Sequence, residues 1–122
     1  MIGGTVSAAR EAVIRVTMRE SAGRDSAFDA VIDTGFTGFL TLPSADIVRM
    51  GLLFAGHEYV LLGDGTMHLV EVYTGLVVWD GVERTVEVDA AETNPLVGMS
   101  LLYGYRLTME AVDGGSVAIE AL

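Results

Sequence analysis

The segment FDAVIDTGFTGFLTLP, Phe28 to Pro43, contains the residues that are best placed to do chemistry. An Asp-Thr-Gly triplet begins at Asp33; the apolar stretch Ala30–Ile32 precedes it, and Phe36 and Phe39 follow it. The triplet alone is an ordinary turn, because Asp bonds its own backbone and Gly accepts positive φ. Apolar residues on both sides indicate instead a desolvated carboxyl group, and perturbed acids concentrate at functional sites. We therefore treat Asp33 as a candidate catalytic group.

Other arrangements of residues that carry out chemistry are missing. The chain has no cysteine, which excludes disulfides and thiolate metal sites. His57 and His68 lack metal-ligand spacing and support no Ser-His-Asp triad, and the glycines form no phosphate-binding loop. The sequence therefore predicts neither a metal nor a cofactor. Tyr73 and Trp79 are interpreted as packing residues. A solvated acidic face is predicted for Glu83, Glu87, Asp89 and Glu92.

Composition limits the possible partners and location. The 122 residues, 51% of them hydrophobic, predict one domain over residues 1–122 with its own core. The net charge of −10 leaves no basic stripe to neutralise phosphates, so no nucleic-acid partner is expected. No apolar run approaches the ~18 residues of a membrane span, and the first residues do not resemble a signal peptide. Together with the absence of cysteine, this favours the cytoplasm.

Short alternating segments separated by glycines predict a mostly β domain with two short helices. Every second residue is apolar in Ala12–Glu20 and in Ala27–Asp33, which is the period of half-buried strands in a hairpin. Ser44 is the predicted N-cap of a short helix that stops at Gly51. An Asp-Gly turn at Gly63–Gly65 predicts a second hairpin. Further predicted elements are a strand at Glu83–Ala90, a short helix at Met99–Tyr103, and two strands joined by Val112–Gly115.

Four segments in one order resemble a known family. The segments VIDTGFTGF, the GDG hairpin, NPLVGMSLL and YRLTMEAVDGGSVAIEAL have the order and spacing of retropepsin-like aspartic proteases, in particular the small single-domain bacterial and archaeal members. The resemblance extends from about Val13 to Leu122. It implies an all-β, closed β-barrel of the acid-protease fold with one or two short helices. Each chain would supply one Asp-Thr-Gly lobe and would function as a homodimer.

The resemblance also assigns roles to residues of the triplet. Asp33 would be the catalytic carboxylate. Thr34 would bond across the twofold axis to its counterpart, and Gly35 would let the substrate backbone approach closely. Thr37 fits the polar supporting position that follows the triplet in this family.

The same resemblance implies a flap, a cleft and a dimer interface. The flap would be the Leu61–Val70 hairpin, where Asp64 would either complete the turn or touch substrate. The terminal strand Val117–Leu122 would help to build the dimer interface. Substrate-binding residues of the flap would be Leu62, Gly63, Asp64, Gly65 and Thr66. Cleft-lining residues would be Phe36, Leu96, Val97 and Gly98.

The chemistry of this family explains the need for two chains. Two carboxyl groups share one proton around a water molecule and act together as acid and base. The sequence has no second Asp-Thr-Gly or Asp-Ser-Gly, so the second carboxyl must come from another copy. The expected function is therefore an aspartic endopeptidase acting on a peptide or protein substrate.

Two departures from the family pattern leave an alternative open. Phe36 stands where Ala or Ser is usual, and its ring either narrows a subsite or fills core. Met99 stands where retroviral members have an Arg that pairs within their dimer. Both favour a catalytically weak or inactive dimer of the same fold that binds extended peptides. A structural β-barrel protein with an accidental triplet is the third possibility.

Overall fold

The computed structural model describes the whole chain, Met1–Leu122, as a single ten-stranded sheet with two short helices. This confirms the predicted all-β class. The strands are β1 (Ile2–Val6), β2 (Ala12–Arg19), β3 (Asp25–Ile32), β4 (Leu40–Leu42), β5 (Leu53–Leu61), β6 (Met67–Trp79), β7 (Val82–Ala90), β8 (Leu96–Val97), β9 (Tyr105–Met109) and β10 (Ser116–Ala121); the helices are α1 (Ser44–Met50) and α2 (Met99–Leu102). Neither helix has the length and apolar character that crossing a membrane requires.

Part of the sheet closes on itself around β2. One edge of β2 pairs with β3, and the other edge pairs with β1 at Ala12–Ile14 and with β6 at Thr17–Arg19. Pairing then runs from β2 through β3, β8, β4, β7 and β6, and returns to β2. The β5–β6 hairpin and the strands β1, β10 and β9 extend beyond this ring. The ring therefore surrounds the core and leaves two projecting parts of the sheet.

Alternate residues of the ring strands fill the core. On β2, Ile14, Val16 and Met18 are buried, as the alternation predicted. Burying each such side chain contributes roughly 1.5–3 kcal/mol. Trp79 is almost fully buried at the end of β6, and its ring meets that of Tyr105 edge-on at 6.0 Å. This confirms the packing role predicted for Trp79.

The first helix corrects one prediction. It ends as predicted at Gly51, which has a left-handed conformation with φ of 67°. Ser44, however, is its first residue and not its N-cap; Pro43 takes the cap position, and no side chain caps the helix. The Ser44 N–H donates instead to the carboxylate of Glu92 at 2.9 Å, and hydrogen bonding to Ser44 lowers the pKa of Glu92. The free N–H at the helix start is thus satisfied from a distant loop.

Strand β1, like the short strands β4 and β8, was not predicted from the sequence. Its Gly3-Gly4 pair weakens the strand signal, since glycine disfavours strand interiors. The structure shows why glycine is needed: a Cβ on Gly4 would lie 2.2 Å from the Val13 carbonyl oxygen. Close contact with β2 therefore overrides the low strand propensity.

Candidate active site

Asp33 directly follows β3, one of the strands of the ring. Its N–H donates to the Val97 carbonyl at 2.9 Å, which extends the pairing of β3 with β8 by one residue. Its own Oδ1 accepts the Gly35 N–H at 2.9 Å, and the Phe36 N–H donates to the Asp33 carbonyl at 3.1 Å. Asp33 as a residue is half-buried. One carboxylate oxygen is thus oriented by the backbone, and Oδ2 is left for another partner.

The next residues form an exposed tip beside this carboxyl group. Thr34 and Gly35 are both exposed. A Cβ on Gly35 would lie 3.3 Å from the Oδ1 of Asp33 and would crowd the carboxylate. Thr37 is also exposed, and its carbonyl accepts the Ser100 hydroxyl at 2.5 Å. The tip can therefore meet another chain without first being uncovered.

The Asp33 loop (Asp33–Phe39) is held by a second segment that crosses it at Gly98. The Gly98 N–H donates to Phe39, the Met99 N–H to Phe36 and the Ser100 N–H to Gly38, at 3.0, 2.8 and 3.1 Å. A Cβ on Gly98 would lie 2.3 Å from the Gly38 carbonyl oxygen. Only glycine permits this approach, so a residue 65 positions away in sequence braces the loop.

Phe36 belongs to this crossing. Its ring lies 2.5 Å from the position of a Cβ on Gly38, and 2.5 Å from that of a Cβ on Gly98. The half-buried ring therefore packs over the two glycines and fills the space that their missing side chains leave. Of the other predicted cleft residues, Val97 is fully buried in the core, and the half-buried Leu96 lies on the opposite face of β8.

The strand registers show which residues of neighbouring strands lie on the same face of the sheet as Asp33. Val31 aligns with Leu96, Thr41 with Asp89, and Asp89 with Val72. The Thr41 hydroxyl accepts the Leu96 N–H at 3.0 Å, and this bond joins β4 to β8. We call Val31, Leu96, Thr41, Asp89 and Val72 the outer row. Asp33 comes two residues after Val31 and shares its face, because side chains alternate along a strand.

Asp89 is the charged member of the outer row. It lies three strands from Asp33, or about 14 Å along the sheet. Desolvation by burial raises the pKa of Asp89 to about 6, with smaller contributions from the charges of Glu58 and Glu87. Sequence reasoning placed Asp89 on a solvated acidic face. Glu83, Glu87 and Glu92 are exposed as predicted, but the prediction is wrong for Asp89, which neighbouring strands half-bury.

Replacing Asp89 by Asn is expected to stabilise the protein above pH 6 and to have little effect below pH 4. The folded state binds this proton more tightly than the unfolded state, whose pKa is near 3.8. Binding of this proton therefore contributes fully to the free energy of unfolding below pH 3.8, the pKa of the unfolded state. The contribution is lost as pH rises through about 6, the pKa of the folded state. The shift corresponds to about 3 kcal/mol, reduced to about 1 kcal/mol because the group is half exposed and screened.

Urea unfolding followed by Trp79 fluorescence between pH 3 and 8 measures this effect. Glu120→Gln is the matched control, because it removes one exposed negative charge from β10, far from Asp89 in the strand order. The same pH dependence in Asp89→Asn and in the wild type would exclude a buried carboxyl at this position.

The β5–β6 hairpin confirms the predicted GDG turn. The Asp64 Oδ1 accepts both the N–H and the hydroxyl of Thr66, at 2.9 and 2.6 Å, and this lowers the pKa of Asp64. Gly65 has a φ of 84°, and Gly63 faces open space. The Leu62 N–H donates to the Thr66 carbonyl at 2.8 Å. All of these bonds stay within the turn, so Asp64 serves the turn.

One face of the hairpin is apolar and exposed. Tyr59 aligns with Leu69, and Leu61 aligns with Met67, so the four side chains share a face. Tyr59 is 72% and Leu61 66% exposed. Such a patch on a projecting hairpin is typical of a surface that another molecule covers.

The surroundings of Asp33 hold no metal-binding arrangement. The structure contains no group of three or more His, Cys, Asp or Glu side chains that could hold a metal ion. Of the predicted residues, Asp33–Thr37 and Gly98 come together at the crossing, Leu96 on β8 lies beside Val31, and Leu62–Thr66 lie at the tip of the hairpin. No protein-family model, no curated protein and no solved structure matches the chain. Function is therefore inferred from the geometry around Asp33.

Proposed function

We propose that this protein is an aspartic endopeptidase of the retropepsin-like type, active as a homodimer. The observation that carries the proposal is the Asp33 carboxyl group, one oxygen of which accepts the Gly35 N–H, on a loop braced at Gly98. A turn that merely connects two strands needs no second segment 65 residues away to fix its backbone. Bracing of this kind is what a catalytic group requires, because its position must be held within fractions of an ångström.

The proposed reaction needs the Asp33 of a second copy. One carboxylate takes a proton from a water molecule as the water oxygen bonds to the scissile carbonyl carbon. The other carboxyl, which is protonated, donates its proton to the carbonyl oxygen. The resulting tetrahedral intermediate collapses as the C–N bond breaks: one of its hydroxyl groups gives a proton to the unprotonated carboxylate, and the leaving nitrogen takes the proton of the other carboxyl group, so the dyad again holds one proton. The shared proton belongs to the pair and to neither residue alone.

Two features of the surface support a dimer that takes an extended peptide. Thr34 and Gly35 are exposed beside Asp33, where the twofold axis of such a dimer would pass. β5 is an edge strand that pairs only with β6, so the hydrogen-bonding groups of its other edge are free. An extended peptide can pair with such an edge, and the apolar hairpin face can cover its side chains.

The test is cleavage of a denatured-protein library by the purified protein, from acid to neutral pH, with and without a pepstatin-type inhibitor. Sedimentation gives the oligomeric state under the same conditions. We expect a dimer and inhibitor-sensitive cleavage. A well-folded dimer that cuts nothing at any pH would instead favour the peptide-binding module of the same fold.

A further inference from the structure

An open surface cavity of about 400 Å³ lies between the end of the Asp33 loop and α2. Its lining contains both polar and apolar residues. Thr37, Ser100 and Arg84 supply the polar groups, and Phe39, Met99 and Tyr103 supply the apolar ones. We call this cavity the Arg84 pocket.

Arg84 is the only partly buried arginine without an acidic partner. Arg15, Arg19 and Arg49 all pair with carboxylates. The remaining arginines, Arg10, Arg24 and Arg106, are exposed. A guanidinium group that is partly removed from water is unfavourable unless an anion accompanies it. In a chain of net charge −10, which has acids to spare, the absence of a carboxylate beside Arg84 is unexpected.

The strand register explains how Arg84 reaches the pocket. Arg84 has the same parity on β7 as the buried Val86 and Val88, and it aligns with Val77 of β6. Its stem therefore covers the end of the core, and its Nη1 donates to the Leu101 carbonyl at 3.5 Å. This long bond uses one of five N–H donors, so a two-point contact with a carboxylate remains possible.

We propose that the Arg84 pocket binds the carboxylate of an acidic residue in the peptide substrate. Arg84 supplies the charge, and the apolar wall accepts the methylene groups of that residue or its neighbour. Thr37 joins the pocket to the catalytic loop, so the acidic residue would lie to one side of the bond that is cut. The substrate assignment rests on the proposed function, whereas the carboxylate site is independent of it.

The test uses peptide binding to the Asp33→Asn variant, which leaves the peptide uncut. The probes are acetylated, amidated nonapeptides of Leu, Phe and Ala with one Glu placed at each position in turn, each matched by a Gln peptide. At one position we expect the Glu peptide to bind at least about 10-fold tighter than its Gln partner, the usual range for a charged two-point contact.

Two further substitutions locate the effect. Arg84→Gln is expected to abolish the Glu-over-Gln preference, and Arg84→Lys to keep only part of it, because lysine lacks the planar fork. Arg106→Gln removes the same charge from an exposed position and should leave the preference unchanged. A shift of the Arg84 Nε–H resonance in protein that retains Arg84, seen with the Glu peptide alone, reports the contact even if Arg84→Gln fails to fold.

Equal binding of Glu and Gln peptides at every position would overturn the pocket assignment. An equal loss of preference in Arg84→Gln and Arg106→Gln would also overturn it, since only net charge would then matter. Failure of the wild type to cleave any peptide would remove the endopeptidase proposal but would leave the binding result standing.

Discussion

Replacing Asp33 by Asn is expected to lower peptide cleavage by about 10³-fold or more, because an amide cannot take up and release the proton that the dyad shares. The fold should survive, since the Asn Oδ1 can still accept the Gly35 N–H that Asp33 accepts. The measurement is kcat/KM on peptides found in the library experiment, with the dimer verified by sedimentation. Asp29→Asn is the matched control, because Asp29 is exposed and its pair with Arg15 on the surface contributes little.

Mixing the Asp33→Asn variant with wild type tests whether the dyad spans two chains. If subunits exchange, a nine-fold excess of variant should reduce activity per wild-type subunit to about one tenth, because almost every wild-type chain then has an inactive partner. Activity that stays constant on mixing, with exchange shown by labelled subunits, would mean that each chain is active alone. Full activity of the variant itself would remove Asp33 from the chemistry.

Local sequence was sufficient for the elements that depend on neighbouring residues. The alternation in Ala12–Glu20 predicted β2, and the Asp-Gly turn predicted the β5–β6 hairpin, because period and turn chemistry are properties of short segments. The left-handed Gly51 at the end of α1 was predicted for the same reason. Even the Asp33 turn is local in its hydrogen bonds, which join Asp33 to Gly35 and Phe36.

What the sequence could not predict depends on contacts between distant segments. Serine is a typical N-cap residue, which is why Ser44 was predicted to cap α1. Its N–H is instead satisfied by Glu92, 48 residues away. Asp89 and Glu87 look equivalent in sequence, and only the packing of neighbouring strands half-buries Asp89. Arg84 drew no attention because nothing near it in sequence marks a pocket. Its surroundings come from α2 and the Asp33 loop.

The crossing at Gly98 predicts a large loss of stability when a single methyl group is added. Gly98 has φ of −104° and ψ of −179°, a conformation that alanine adopts without strain. The obstacle is space: the new Cβ would lie 2.3 Å from the Gly38 carbonyl oxygen and 2.5 Å from the Phe36 ring. The ring can rotate, but the carbonyl belongs to the backbone of the Asp33 loop. We therefore expect Gly98→Ala to lower the free energy of unfolding by about 3 kcal/mol.

Urea unfolding at fixed protein concentration measures this loss, with Gly3→Ala as the control. A Cβ on Gly3 would meet nothing closer than the Val117 carbonyl oxygen at 4.0 Å, so that variant should unfold like the wild type. Adding Phe36→Ala to Gly98→Ala should recover only part of the loss, because the Gly38 carbonyl still blocks the methyl group.

Cleavage should fall further in Gly98→Ala than the loss of stability explains. The methyl group displaces the backbone that positions Asp33, and misplacing a catalytic group by about 1 Å can cost 10²-fold in rate. Activity measured where the variant is still fully folded separates the two effects. If Gly98→Ala proved as stable and as active as Gly3→Ala, the loop would not depend on this crossing, and Asp33 would lose the feature that distinguishes it from an ordinary turn.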